Sequence, residues 1–302
     1  MCGIVGLFAK SAEIEESLGT HLAAMLVQMS DRGPDSAGVA VYRDPAPAGS
    51  SKVTLFSADP LQDWTALCAE LEARFGGAPE AAIRANHAVV VVEGDSPDVD
   101  AWVRATHPEL RVMSSGQAIE IYKETGRPEA FVERYDLGSF SGTHALGHTR
   151  MATESRVTTE GSHPFSTGHD VCLVHNGSLS NHNRLREDLR REGIDFQTEN
   201  DTEVAAGYVA WRMREGASLE EALAGCVEDL DGFYTFLVGT VDGFAVLRDP
   251  IACKPAVLAE TDEWVAMASE WRAIAVLPGA SGALMWEPAP TVPYVWERAK
   301  VA

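Results

Sequence analysis

The chain opens Met1-Cys2-Gly3-Ile4-Val5-Gly6, a cysteine directly behind the initiator methionine and ahead of an apolar run punctuated by glycines. Residues 3–8 read as a short buried strand, so residue 2 sits at the head of an element that the core must enclose. Removal of Met1 would put a thiol and a free α-amine on one residue. An α-amine with a pKa of roughly 8 can take a proton near neutral pH, and the thiolate is the nucleophilic form of cysteine. Nucleophile and base would then share a single residue, a compact version of an attacking side chain activated by its neighbour. The other reading is an incidental cysteine, and the rest of the chain decides between them.

The 302 residues leave room for one large domain or two modest ones. With 24 Lys and Arg against 45 Asp and Glu, the net charge is −21, which argues against nucleic acid or an anionic membrane as a partner. The N-terminus lacks a basic flank followed by an apolar core, and Glu13, Glu15 and Glu16 come early, so no secretory leader is expected. The longest uncharged apolar stretch, residues 233–241, is about half of what a membrane span needs. Cys2, Cys68, Cys172, Cys226 and Cys253 are odd in number, scattered and without a CxxC pair, which predicts reduced thiols and a cytoplasmic protein.

Periodicity predicts a helix over 16–30, strands over 37–42 and 53–56, a helix over 61–75, a strand over 87–92 and a helix over 97–106. Residues 117–124 are ambiguous between helix and strand. From 143 the texture is strand-rich, with strands expected at 144–148, 171–174, 233–240, 243–248, 255–259 and 264–268 and helices at 180–192, 202–215 and 218–229. The prolines 278, 288, 290 and 293 predict an extended C-terminal end.

Four polar clusters sit at the ends of predicted strands: residues 32–38 (RGPDSAG), 147–153 (GHTRMAT), 175–181 (HNGSLSN) and 200–203 (NDTE). Singly each has a plain structural reading; the last, for example, is a good helix N-cap. In this order, behind the opening hexapeptide, they resemble the class II glutamine amidotransferases, whose glutaminase domain belongs to the N-terminal-nucleophile hydrolases. His163-Pro164 and the run Arg248-Asp249-Pro250, Lys254-Pro255 and Ala268-Ser269-Glu270 extend the resemblance, which covers residues 2–43 and roughly 140–270. Glu154-Ser155 and Ala252 depart from the family pattern.

The resemblance implies an α+β fold, a four-layer αββα N-terminal-nucleophile hydrolase sandwich over residues 2–285. An α/β insertion at about 44–140 would interrupt it, and 286–302 would form an extended C-terminal tail. It implies roles that the chemistry supports. Cys2 would attack the side-chain amide of L-glutamine, with the Asn176 side chain and the Gly177 backbone N–H holding the oxyanion. Arg150 would grip the α-carboxylate and Asp201 accept from the α-ammonium. Arg32, Thr153 and His163 would take supporting places in or near this pocket, whereas His148 reads as a buried, satisfied strand residue. His163, His169, His175 and His182 suit no standard zinc spacing, and no metal is expected.

Some 30 residues follow Ser269-Glu270, fewer than a synthase domain needs, so a separate synthase subunit is expected to receive the ammonia. Chain length, the insertion and residues 113–126 most resemble the amidotransferase subunit of glutamate-synthase-like systems, N-methylglutamate synthase among them. There a flavin and an iron–sulfur centre reside on the partner subunits, and this chain would need no cofactor. Two alternatives stay open: an N-terminal-nucleophile amidohydrolase acting on another amide, and a non-catalytic regulatory subunit of the synthase.

Overall fold

The strand Gly3–Ala9 is buried along its whole length and shows how the molecule is layered. Successive side chains of a strand point to opposite faces. Ile4 and Phe8 enter one apolar cluster, and Val5, Leu7 and Ala9 enter another. The computed structural model describes residues 2–152 and 157–298. In it this strand is central to a seven-stranded sheet ordered Leu284–Trp286, Val257–Glu260, Trp264–Ala268, Gly3–Ala9, His144–Arg150, Ser36–Tyr42 and Ile119–Thr125.

A second sheet of five strands runs Tyr294–Glu297, Gly243–Arg248, Gly232–Gly239, Val171–Leu179 and Phe165–Gly168. All neighbours within both sheets pair antiparallel. Ile4, Phe8, Ala40, Leu146 and Met267 from the first sheet pack on Val174, Leu237, Phe244 and Val246 from the second. The approach is close: a Cβ on Gly6 would lie 2.6 Å from Leu237 Cδ2. The first sheet's outer face is covered by the helices Leu18–Val27, Pro128–Arg134 and Trp271–Ile274, the second's by His182–Arg191, Asp201–Arg214 and Leu219–Asp229. The architecture is therefore an α+β sandwich of four layers, helix, sheet, sheet, helix. Among the described residues no helix is long and apolar enough to cross a membrane.

A third, four-stranded sheet orders Glu80–Arg84, His87–Glu93, Ser50–Phe56 and Arg111–Gly116. The helices Trp64–Phe75 and Ser96–Thr106 close its own core around Leu55, Leu67, Leu71, Val90 and Val103. This inserted layer ends at Gly116, well short of the expected boundary near 140. Ile119–Thr125 is instead the edge strand of the seven-stranded sheet, paired with Ser36–Tyr42, and Phe131 of Pro128–Arg134 packs in that sheet's outer core. Its alternation is masked by charge: Glu120 and Lys123 lie inside the strand, buried and hydrogen-bonded. Nor is the C-terminal end a free tail, because Leu284–Trp286 and Tyr294–Glu297 are edge strands of the two main sheets. Pro288, Pro290 and Pro293 are confined to the connection between them, where no ladder N–H is needed.

Asp170 joins inserted layer to sandwich. With a left-handed backbone, φ 53°, it accepts the N–H groups of Gln117, Ala118 and Ile119 at 2.6, 2.8 and 3.0 Å. Its own N–H donates to Ser115 O at 3.0 Å.

Candidate active site

Register carries Cys2 into the site. Gly3 pairs with Thr149 on one side and Val5 with Ala268 on the other, so the residue ahead of the strand lies between the ends of two neighbours. Gly3 is required by this packing, since a Cβ there would stand 2.7 Å from Met29 Cβ and 2.8 Å from Thr149 Oγ1. Cys2 is half-buried, and its thiol lies 3.8 Å from Met151 O, within range of a weak S–H hydrogen bond.

Two donors hold the Cys2 carbonyl, Arg32 Nε at 3.0 Å and Asn176 Nδ2 at 3.2 Å. Arg32 is itself anchored by an ion pair with Glu270, which Arg272 Nε also meets at 2.8 Å. The hydrogen bond from Arg32 holds the Glu270 carboxyl below its ordinary range. Arg32 thus fixes the backbone of Cys2.

Asn176 lies in the strand Val171–Leu179, and its amide orientation follows from its neighbours. A carbonyl can only accept, so the group facing Cys2 O must be the NH2. The same NH2 lies 3.2 Å from Ser269 Oγ, which also accepts the Ile4 N–H at 2.9 Å. Asn176 Oδ1 is left facing His148 Nε2 at 3.2 Å, so that nitrogen must carry the proton. Burial keeps the His148 imidazole neutral by lowering its pKa to about 3. Gly177 follows at φ 148°, a conformation that glycine tolerates and other residues resist. A Cβ there would be 1.9 Å from Phe233 O and 2.7 Å from His175 Nε2.

Arg150 closes the strand His144–Arg150 and donates from Nη1 to Gly161 O at 3.0 Å. Asp35 secures the turn beyond it, donating its N–H to Arg150 O at 3.0 Å and accepting the Ala152 N–H at 2.8 Å. Asp201 begins the helix Asp201–Arg214, behind an Asn200 cap whose side chain accepts the Thr202 N–H at 2.8 Å. Its Oδ2 accepts the Leu179 N–H at 2.9 Å, tying that helix end to the strand of Asn176 and Gly177, and Oδ1 stands 3.8 Å from His175 Nδ1.

His163, expected in a supporting place in or near the pocket, packs behind the site. Its ring stacks on His148 with centroids 4.1 Å apart. Nδ1 accepts the His175 N–H at 3.4 Å and Nε2 donates to Thr202 Oγ1 at 3.1 Å, which engages both ring nitrogens. Thr153 lies outside the described residues. Cys2, Arg32 and Asn176 are brought into direct contact, Arg150 and Asp201 sit on the elements flanking them, and His163 packs behind. His148, Ser269 and Asp35 emerge as members of the network. Each lies within a motif picked out in the sequence, yet only the contacts across the two sheets reveal its task.

A cysteine at the head of a central strand, facing a fixed side-chain amide between two helix-covered antiparallel sheets, defines an amidotransferase of the N-terminal-nucleophile class. The model of the glutamine amidotransferase domain matches residues 148–276. The chain is similar to the glutamine amidotransferase-like protein GlxB of Rhizobium meliloti (strain 1021), 54% identical over 303 residues and 100% of both chains. It is also similar to the isomerizing glutamine–fructose-6-phosphate aminotransferase of Vibrio vulnificus (strain YJ016), 35% identical over 129 residues, 43% of this chain and 21% of that protein. Among solved structures, the glutamine phosphoribosylpyrophosphate amidotransferase of B. subtilis matches 99% of this chain and 50% of its own at TM-score 0.60 and 19% identity, a likeness of fold. The chain belongs to the class II glutamine amidotransferases.

Proposed function

We propose that this chain is a glutaminase subunit that hydrolyses L-glutamine to glutamate and ammonia through a thioester on Cys2, and that a separate synthase subunit takes up the ammonia. The observation that carries the reading is the Asn176 amide, held NH2-first toward residue 2 by the Cys2 carbonyl and His148.

With Met1 removed, the Cys2 amine takes the thiol proton and the thiolate adds to the amide carbon. The carbonyl electrons move onto oxygen, and Asn176 Nδ2 and the Gly177 N–H would donate hydrogen bonds to the resulting oxyanion; one such donor is worth about 3–4 kcal/mol in the transition state. The C–N bond then breaks, the amine's proton leaves with ammonia, and a thioester remains. Water attacks it, giving its proton to the amine, and the C–S bond breaks to release glutamate. Arg150 supplies a planar cation for the substrate carboxylate, and Asp201 an anion for its ammonium. This pairing favours a free amino acid over an acylated amine.

The acceptor reaction rests on the resemblance to glutamate-synthase-like systems, N-methylglutamate synthase among them. The flavin and iron–sulfur centre belong to that partner in this reading, and no cofactor is assigned to this chain. Glutamine-dependent glutamate release by the purified protein, lost at least 1000-fold in Cys2→Ala, is the expected outcome. Release from an N-acylated amine with none from glutamine would turn the reading to another amidohydrolase, and release from neither would indicate a regulatory subunit. Native co-purification with a flavin-bearing chain tests the partner.

A further inference from the structure

Two buried charges that this chemistry does not use stand behind the glutamine pocket. Lys123, on the strand Ile119–Thr125, is 3% exposed, and among the described residues its hydrogen bonds go to backbone carbonyls and not to a carboxylate. Its ammonium donates to three backbone carbonyls, Glu160 O at 3.1 Å, Ser162 O at 2.9 Å and Pro164 O at 3.1 Å, and lies 4.4 Å from the Phe165 ring centroid. All three N–H bonds are thus spent on one stretch of chain, and residues 157–164 contain no helix or strand. That stretch carries Gly161, whose carbonyl receives Arg150, and His163. It lies hard against the sheet: a Cβ on Gly38 would be 2.1 Å from His163 O and 2.7 Å from Lys123 Cβ.

Glu203, 2% exposed, does the converse for the other half of the pocket. Its carboxylate accepts the Gln197 N–H at 2.7 Å, the Thr198 N–H at 2.8 Å and the Thr198 hydroxyl at 2.7 Å. Thr198 Oγ1 in turn accepts the Asn200 N–H at 3.1 Å, which sets the cap ahead of Asp201. Lys123, Glu160, Gln197, Thr198 and Glu203 line one small cavity, and the field of Glu203 opposes the burial that disfavours the Lys123 charge. A cation gathers the carbonyls beneath Arg150, an anion gathers the amides beneath Asp201, and the two attract each other.

We propose that Lys123 and Glu203 are coupled positioning residues that set the affinity for glutamine by shaping the loops under Arg150 and Asp201. The proposal rests on the glutaminase reading. Cys2 and Asn176 are held directly by Arg32, Ser269 and His148, and this pair reaches them only at one remove, through His163 stacked on His148, so the chemical step should feel the pair less than binding does. Burial lowers Lys123 to about 8. Among the described residues the charged and titratable groups around it are Glu160 and Glu203, which favour its charged form, Arg111, which lines the same cavity, and His163 and His87, both held neutral by burial. Loss of its proton would release the carbonyls.

The test is steady-state glutaminase kinetics on the wild type, Lys123→Met, Glu203→Gln and the double variant, with the wild type also followed from pH 7 to 9. Each single change should raise KM for glutamine at least tenfold while kcat falls less than threefold. The double change should cost less than the product of the singles. Wild-type KM should rise above pH 8, and Lys123→Met should lack that rise. Variants that lose kcat at unchanged KM overturn the inference, and so does a wild-type KM that stays flat to pH 9, a result that needs no variant to fold. Wild-type protein that cleaves no glutamine overturns the glutaminase reading and this inference together.

Discussion

Asn176 can serve an oxyanion only if its NH2 faces the nucleophile, and an amide reversed by half a turn would present a lone pair instead. Cys2 O and His148 Nε2 together forbid that reversal, which gives His148 a task although it lies behind the reacting atoms. His148→Phe should lower kcat about 100-fold, the scale of a misplaced oxyanion donor, with a much smaller change in KM. His148→Gln, whose amide N–H can reach the same acceptor, should recover most of it. Equal losses in both variants would make His148 a packing residue. Cys2, Arg32 and Asn176, which the structure brings into contact, were legible as candidates because each lies in a local motif, and so were Gly177, Arg150 and Asp201. His148 and Ser269 were not, since their roles arise from contacts with Asn176 across 28 and 93 residues of chain. His163 has both its ring nitrogens engaged within the wall, a placement that its local motif does not show.

At the scale of elements, the strands of the sandwich core were readable because burial on both faces leaves plain apolar runs, such as residues 3–8 and 264–268. The edge strands were harder. Ile119–Thr125 hides Lys123 and Glu120 inside the fold, and Tyr294–Glu297 follows a proline-rich connection. The same crossover offers a test. Asp170 is the acceptor of three backbone N–H groups where the inserted layer returns to the sandwich, and removing a buried charged acceptor leaves donors without partners. Asp170→Ala should therefore destabilise the protein by about 3–5 kcal/mol, seen as a lower denaturant midpoint with little change in slope. A loss under about 1 kcal/mol would show that the crossover is held by other contacts.

For the molecule as a whole, the notable load is imidazole. Burial lowers the pKa of His87, His144, His148, His163 and His175, the first three to about 3. The unfolded chain protonates these rings below about pH 6.5 while the native state does not, so stability falls with pH through that window. Each ring contributes a slope of about 1.4 kcal/mol per pH unit, enough in sum to exhaust a typical stability near pH 4–5. Denaturant midpoints should stay level from pH 7.5 to 6.5 and drop clearly by pH 5.5. A level midpoint down to about pH 4.5, where carboxylates take over, would contradict the burial of these rings as neutral species.

The central claim is that Cys2, freed of Met1, is the nucleophile, and covalent capture tests it most directly. Burial raises the thiol pKa of Cys172 to about 12 and also raises those of Cys226 and Cys68, leaving exposed Cys253 as the serious competitor. Treatment with a glutamine-analogue electrophile followed by intact-mass and peptide mapping should find one adduct per chain, on a Cys2 that begins the chain, and excess glutamine should block it. An adduct on Cys253, or a labelled chain that still carries Met1, would contradict the account.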